Sequence, residues 1–231
     1  MFAADVFNSY SYKSAEEINS AMGRVYFYML MAIIVSMVVS MLIGFSPAAL
    51  AFLFTGWTKW IVMFAPLVAV FAISMALNSN PSKEIALLLL MGFAAIMGLS
   101  FSMIFAVYKL GSIFTAFMGA AVLFGTMSFY GYFTKKSLDS VGKFMFVGLI
   151  AIVIASIINI FIGSTVMQMV ISALAIIIFL GLTAYDTQKI REMVSYGDST
   201  ASEEVSGALT LYLDFINIFL NLLQLFGGKK E

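Results

Sequence analysis

Charged residues interrupt this chain rarely, and between the interruptions lie apolar runs of about 20 residues, the length a helix needs to cross the hydrocarbon core of a bilayer. Val25–Gly44 carries no charge, and Trp60–Asn80, Ile85–Val107 and Leu110–Thr134 follow it. From Phe144 to Tyr185 there are 42 consecutive uncharged residues, about two spans' worth. The small polar turn Gly163-Ser164-Thr165 is the natural break, so spans are predicted at 144–163 and 165–186. Val205–Phe226 is the last run, apolar except for Asp214. The pattern predicts an all-α integral membrane protein with seven transmembrane helices, one domain over 1–231. Residues 1–21 form a short N-terminal segment.

The junctions are short, which makes consecutive helices antiparallel neighbours. Ser14-Ala15-Glu16-Glu17 fits a capping box ahead of a full-length first run, which argues against a signal peptide. Ser82 is an N-cap candidate in the turn Pro81-Ser82-Lys83-Glu84. Thr200-x-x-Glu203 offers a second capping box, within the longest link, Thr187–Glu204. Pro66 predicts a kink in the second span, and Trp57, Trp60 and Tyr108 read as interface anchors. Neither a soluble domain nor a sequence repeat stands out.

Composition agrees. The chain is 62% hydrophobic and 10% charged, with a mean hydropathy of +1.04, whereas a soluble domain carries roughly 25% charged residues. Lys plus Arg and Asp plus Glu are both 12. That balance argues against nucleic-acid binding, which leaves a basic excess. The chain has no cysteine and no histidine, which excludes disulfides, thiolate and histidine metal sites, and Ser–His catalysis. It also removes the usual pH switch near neutrality.

Orientation follows from the basic residues. Lys13, Arg24, Lys83, Lys135, Lys136, Lys143, Lys189 and Arg191 fall on one side, eight in all. Lys59, Lys109, Lys229 and Lys230 fall on the other, four in all. The richer side is expected to be cytoplasmic, with the N-terminus inside and the C-terminus outside.

Two carboxylates sit in or against the spans, Asp186 at the end of the sixth and Asp214 in the seventh. An ionised side chain at the centre of a membrane helix costs on the order of 2.5–3.5 kcal/mol, and such residues are functional candidates by default. The two helices run in opposite directions. Asp214 lies about ten residues into the last span, roughly two to three turns, which lets the two side chains share a depth in the cytoplasmic half. Adjacent carboxylates in a poorly solvated site cannot both ionise cheaply, so they share a proton and titrate as a unit. The bland alternative for Asp186 is a cap facing interfacial water beside Lys189 and Arg191. Asn159, Gln168, Asn217 and Asn221 read as interhelical hydrogen-bonding residues. Gly119, Gly125 and Gly131 recur every six residues and so do not form a GxxxG face. The 17 methionines and 23 phenylalanines read as packing or lipid-facing residues.

The string Gly181-Leu182-Thr183-Ala184-Tyr185-Asp186-Thr187-Gln188-Lys189-Ile190 closely resembles the signature of the Bax inhibitor family, also called the transmembrane Bax inhibitor motif family. Gly207-Ala208-Leu209-Thr210-Leu211-Tyr212-Leu213-Asp214-Phe215-Ile216-Asn217-Ile218-Phe219 is similar to the last helix of its bacterial members. Ser128-Phe129-Tyr130-Gly131-Tyr132, followed by Thr134-Lys135-Lys136, fits the same branch. The resemblance runs from about Met22 onward.

It implies a seven-helix bundle with the last helix central, in a bacterial inner membrane. It also implies a pH-sensitive calcium leak gated by the two motif aspartates, which map onto Asp186 and Asp214. Thr183, Tyr185, Gln188, Tyr212 and Asn217 are the supporting positions in the two motifs. Calcium is implied as the permeant ion, touching Asp186 and Asp214 in passing, with no resident cofactor. Members that act as leaks pair the aspartates with an arginine on the second helix, and Trp60–Asn80 contains none. Either Arg24, Lys83 or Arg191 substitutes from the cytoplasmic edge, or the latch is absent.

Other readings remain. An intramembrane aspartyl protease also uses Tyr-Asp on one helix and Asp on the next. Here Leu211-Tyr212-Leu213 stands where that class requires Gly-x-Gly, and the only prolines, Pro47, Pro66 and Pro81, leave no Pro-Ala-Leu element. A retinal protein needs a lysine in the last span, which has none. The chain is therefore not expected to be an enzyme. The second functional reading is a membrane-embedded regulator that binds and restrains a partner, such as a membrane protease or another channel, without conducting. The expected partners are thus the lipid bilayer, calcium and another membrane protein, and not nucleic acid.

Overall fold

A computed structural model describes residues 13–196 and 200–230 of the chain. Eight helices make up the described fold: α1 (Ala15–Gly44), α2 (Pro47–Phe54), α3 (Thr58–Leu77), α4 (Lys83–Val107), α5 (Leu110–Phe133), α6 (Asp139–Ile162), α7 (Thr165–Ser195) and α8 (Ala201–Phe226). All but α2 are long and apolar enough to cross a membrane. The expected all-α membrane architecture with seven spans is therefore what the chain adopts. The predicted N-terminal segment falls partly on residues 1–12, which lie outside the described residues.

Caps set most of the boundaries. Ser14 and Glu17 form the reciprocal capping box that starts α1, and Thr200 and Glu203 do the same ahead of α8. Gly163 closes α6 with φ +68°, a left-handed turn that an L side chain adopts only under strain. Asn159 accepts the Ser164 N–H and donates to Gln168, tying α6 to α7 across that turn. α3 continues through Pro66.

Several boundaries differ from the apolar pattern. α1 begins ten residues before Val25, and α6 begins five before Phe144. Polar residues end an apolar run without ending a helix, because the backbone ladder and a cap decide where the helix stops. For the same reason α7 runs on past Asp186 to Ser195, so Asp186 lies within a helix and not at its end. Short α2 lies within the first predicted loop. Ser46 caps it and Pro47 occupies its first turn, where the missing N–H costs nothing.

The chain forms two compact units. One holds the residues through Ala106 together with Lys189–Thr210, and the other holds Val107–Gln188 with the residues from Leu211 on. In the first, α1 lies close on α4: a side chain on Gly44 would meet Ser102 and Phe105, and one on Gly98 would meet Ser36 and Val39. Ser202 donates to the Pro81 carbonyl and so joins the start of α8 to the α3–α4 turn. In the second, Phe117 and Phe124 of α5 pack edge-on against Phe215 of α8, with centroids 5.3 and 5.7 Å away. The C-terminal tail pairs with the α4–α5 turn through Lys109 N–H to Gly228 O (2.9 Å) and Lys230 N–H to Val107 O (2.8 Å).

The expected centrality of the last helix has a counterpart in burial, since α8 is the most buried of the seven spans and α6 the least. Many large apolar side chains face outward, including Phe52, Leu88, Phe144 and Phe161. Lipid is the solvent that suits them. Trp57 and Trp60 are also exposed, with the Lys59 ammonium 5.4 Å from the Trp60 ring. That placement fits their reading as interface anchors.

Candidate functional site

The residues around Asp186 are consumed one after another by packing. A side chain on Gly181 would meet Met145 of α6 at 2.7 Å. Ala184 presses its backbone on Gly131 of α5, where a Cβ would fall 2.9 Å from the Ala184 Cα. The Tyr185 ring lies over Gly142 of α6, where a Cβ would fall 2.5 Å from two ring carbons. Thr183, fully buried, returns its hydroxyl to the Phe179 carbonyl at 2.7 Å. The Thr187 hydroxyl meets that of Ser128 at 3.0 Å. Gln188 reaches the α5–α6 turn with both ends of its amide, accepting the Leu138 N–H at 2.8 Å and donating to the Lys136 carbonyl at 3.0 Å. Gly131 therefore does serve a close helix approach, though through Ala184 and not through a repeat of its own. The signature string is a docking code for α7 against α5 and α6.

Asp186, half-buried in the middle of that code, does something different. Its carboxyl is hydrogen-bonded to that of Asp214 on α8. Asp214 is 4% exposed, and its Oδ2 has no hydrogen-bond partner among the described residues. A hydrogen bond between two carboxyls requires one of them to carry the proton, because carboxylates only accept. Tyr212 is fully buried two residues before Asp214, and Phe215 packs into the α5 aromatic cluster immediately after it.

The other expected positions play different parts. Asn217 donates to the Leu213 carbonyl and Asn221 to the Asn217 carbonyl, each one turn back on its own helix. The interhelical role expected of these two is therefore corrected: a carbonyl on the same helix satisfies the amide first. Gln168 keeps that role through Asn159, and Gln224, unremarked in the sequence, acquires one by accepting from Ser172 at 3.1 Å. Arg24 and Arg191 belong to the other unit. There Arg24 grips Glu204, with Nε to Oε2 at 2.8 Å and Nη2 to Oε1 at 2.5 Å, and the Arg191 carbonyl accepts from Ser195. Glu204, 4% exposed, is a buried acid that the sequence reading passed over. Nothing in its sequence setting, next to the capping Glu203, separates it from an ordinary first-turn carboxylate. Among the described residues no three acids gather into a metal-binding group.

With this geometry in view, comparison with known proteins places the chain. The family described as inhibitor of apoptosis-promoting Bax1 matches residues 18–231. The inner membrane protein YbhL of Escherichia coli K12 is 36% identical over 214 residues, covering 90% of this chain and 92% of that one. An uncharacterized protein of Deinococcus radiodurans is 40% identical over 173 residues, 74% of each chain. The uncharacterized protein RP147 of Rickettsia prowazekii is 35% identical over 220 residues, covering 94% of this chain and 92% of that one. The chain belongs to the Bax inhibitor family of membrane proteins, and its relatives include bacterial inner membrane proteins.

Proposed function

We propose that this protein is a pH-sensitive calcium leak of the bacterial inner membrane, gated by the proton shared between Asp186 and Asp214. The observation that carries the proposal is the hydrogen bond between the two carboxyls, one of them buried and otherwise unpartnered. With one proton the pair is held together as a single anion. With none, two like charges face each other in an apolar setting and drive their helices apart. Calcium is a hard cation that takes 6–8 oxygen ligands. Two carboxylates supply at most four, which suits an ion in transit and not a resident one. The eight-to-four division of Lys and Arg supports an inside N-terminus and an outside C-terminus, which puts the basic α5–α6 turn in the cytoplasm.

Purified protein in calcium-free liposomes should admit calcium slowly, with a rate that changes across the neutral pH range. Flux equal to that of empty liposomes at every pH would end the conduction reading. The second reading, a non-conducting regulator of another membrane protein, would then stand. It is favoured by the lack of arginine in Trp60–Asn80 and by the commitment of Arg24 to Glu204.

A further inference from the structure

We propose that the Arg24–Glu204 ion pair is a clasp that fixes the register of α8 and thereby sets the resting position of Asp214. The gating part of this inference rests on the function proposed above. The clasp itself rests on the geometry of α1 and the start of α8.

The contact is two-pronged, with Nε and Nη2 of Arg24 on the two oxygens of Glu204, the fork-on-carboxylate arrangement that fixes orientation as well as distance. A third guanidinium nitrogen, Nη1, donates to Ser20 at 2.9 Å, so the fork is itself held on α1. Burial is unequal: the Glu204 side chain is 6% exposed and that of Arg24 is 42%. Glu204 therefore depends on the arginine, since a buried carboxylate stripped of its partner is strongly destabilising. Capping does not explain Glu204, because Glu203 already performs it. The first turns of α8 are docked on two further sides, by Ser202 on the Pro81 carbonyl and by Ile190 against Gly207, where a Cβ would meet Ile190 at 3.0 Å. The clasp is the charged member of this set, and it is exposed on its Arg24 side.

Glu204 and Asp214 stand on one uninterrupted helix, ten residues apart, or about 15 Å along its axis. A helix resists stretching, so a slip or rotation at Glu204 is carried along the axis to Asp214. Nothing about the carboxyl pair needs to change chemically for it to be displaced.

The chain has no cysteine, which allows spin labels on cysteines introduced at Glu16 and Ala201, and the protonated-carboxyl infrared band that Asp214→Asn removes reports the pair itself. Arg24→Gln should lengthen or broaden the label distance and shift that band. It should also change calcium flux by about 2- to 30-fold, the span of mutational couplings of 0.5–2 kcal/mol. Arg24→Lys, which keeps the charge and loses the fork, should give a smaller change of the same kind and guards against misfolding of the glutamine variant. The exchange Arg24→Glu with Glu204→Arg should recover much of the wild-type distance and band. If distance and band stay at wild-type values in Arg24→Gln and Arg24→Lys, or if the distance moves and the band does not, the clasp is refuted. If wild-type liposomes show no flux while distance and band respond as expected, the conduction reading falls and the clasp stands.

Discussion

Asp186 and Asp214 meet as a carboxyl–carboxyl hydrogen bond between α7 and α8, with the second oxygen of Asp214 buried and unpartnered among the described residues. Such a pair behaves as one titrating unit, and that has a measurable signature. Asp186→Asn and Asp214→Asn should each abolish the wild-type pH response of calcium flux, or of an interhelical spin-label distance. The double variant should add little to either, because each single change already removes the shared proton. Two independent, additive effects would show that the residues do not work as a pair.

A second prediction separates two glycines of α5. A methyl group on Gly131 would collide with the Ala184 backbone, which cannot move aside without shifting α7. Nothing lies within 4 Å of the position a methyl would take on exposed Gly125. Gly131→Ala should therefore lower thermal stability in detergent by about 1–3 kcal/mol, the usual cost of overpacking. Gly125→Ala should be neutral or stabilising by up to about 1 kcal/mol, through helix propensity. Equal behaviour of the two variants would show that the close approach of α5 and α7 is unimportant.

The spans were legible because lipid imposes a length and a polarity on each of them, and Asp186 and Asp214 were legible because acids in apolar runs are rare. The helix ends were less so: the α7 ladder ignores the charges of Lys189 and Arg191 and runs on to Ser195. Partners were least legible of all. Nothing local in Glu204 distinguishes it from Glu203, and only the fold brings Arg24 to one of them and Thr200 to the other. Gln188 stood out through the family signature, yet its target is two backbone groups, which no sequence pattern marks.

Topology gives a third prediction. From the division of basic residues, the N-terminus and the α5–α6 turn are expected inside and the C-terminus outside. A reporter active only in the periplasm should give signal when fused after Glu231 and none when inserted within Asp139–Lys143. The reverse pattern would overturn the orientation, and signal at both sites would contradict an odd number of spans.

The last prediction separates packing from chemistry inside the signature string. Gln188 satisfies the Leu138 N–H and the Lys136 carbonyl simultaneously, one with its oxygen and one with its amide nitrogen. Those two groups flank Ser137 in the turn that leads into α6, so the amide fixes where α6 begins and hence how Gly142 meets Tyr185. Gln188→Ala leaves a buried N–H at Leu138 without its acceptor, and should cost about 1–3 kcal/mol of thermal stability in detergent. Gln188→Glu keeps the acceptor for Leu138 but turns an oxygen toward the Lys136 carbonyl, where an acceptor meets an acceptor. It should be at least as damaging as alanine, despite its nearly unchanged size. Neither change should remove the protonated-carboxyl infrared band of the aspartate pair, because Gln188 makes its hydrogen bonds to the turn and not to Asp186. Loss of that band in a Gln188→Ala protein that keeps its thermal stability would assign Gln188 to the proton-sharing chemistry and defeat the docking role argued for it.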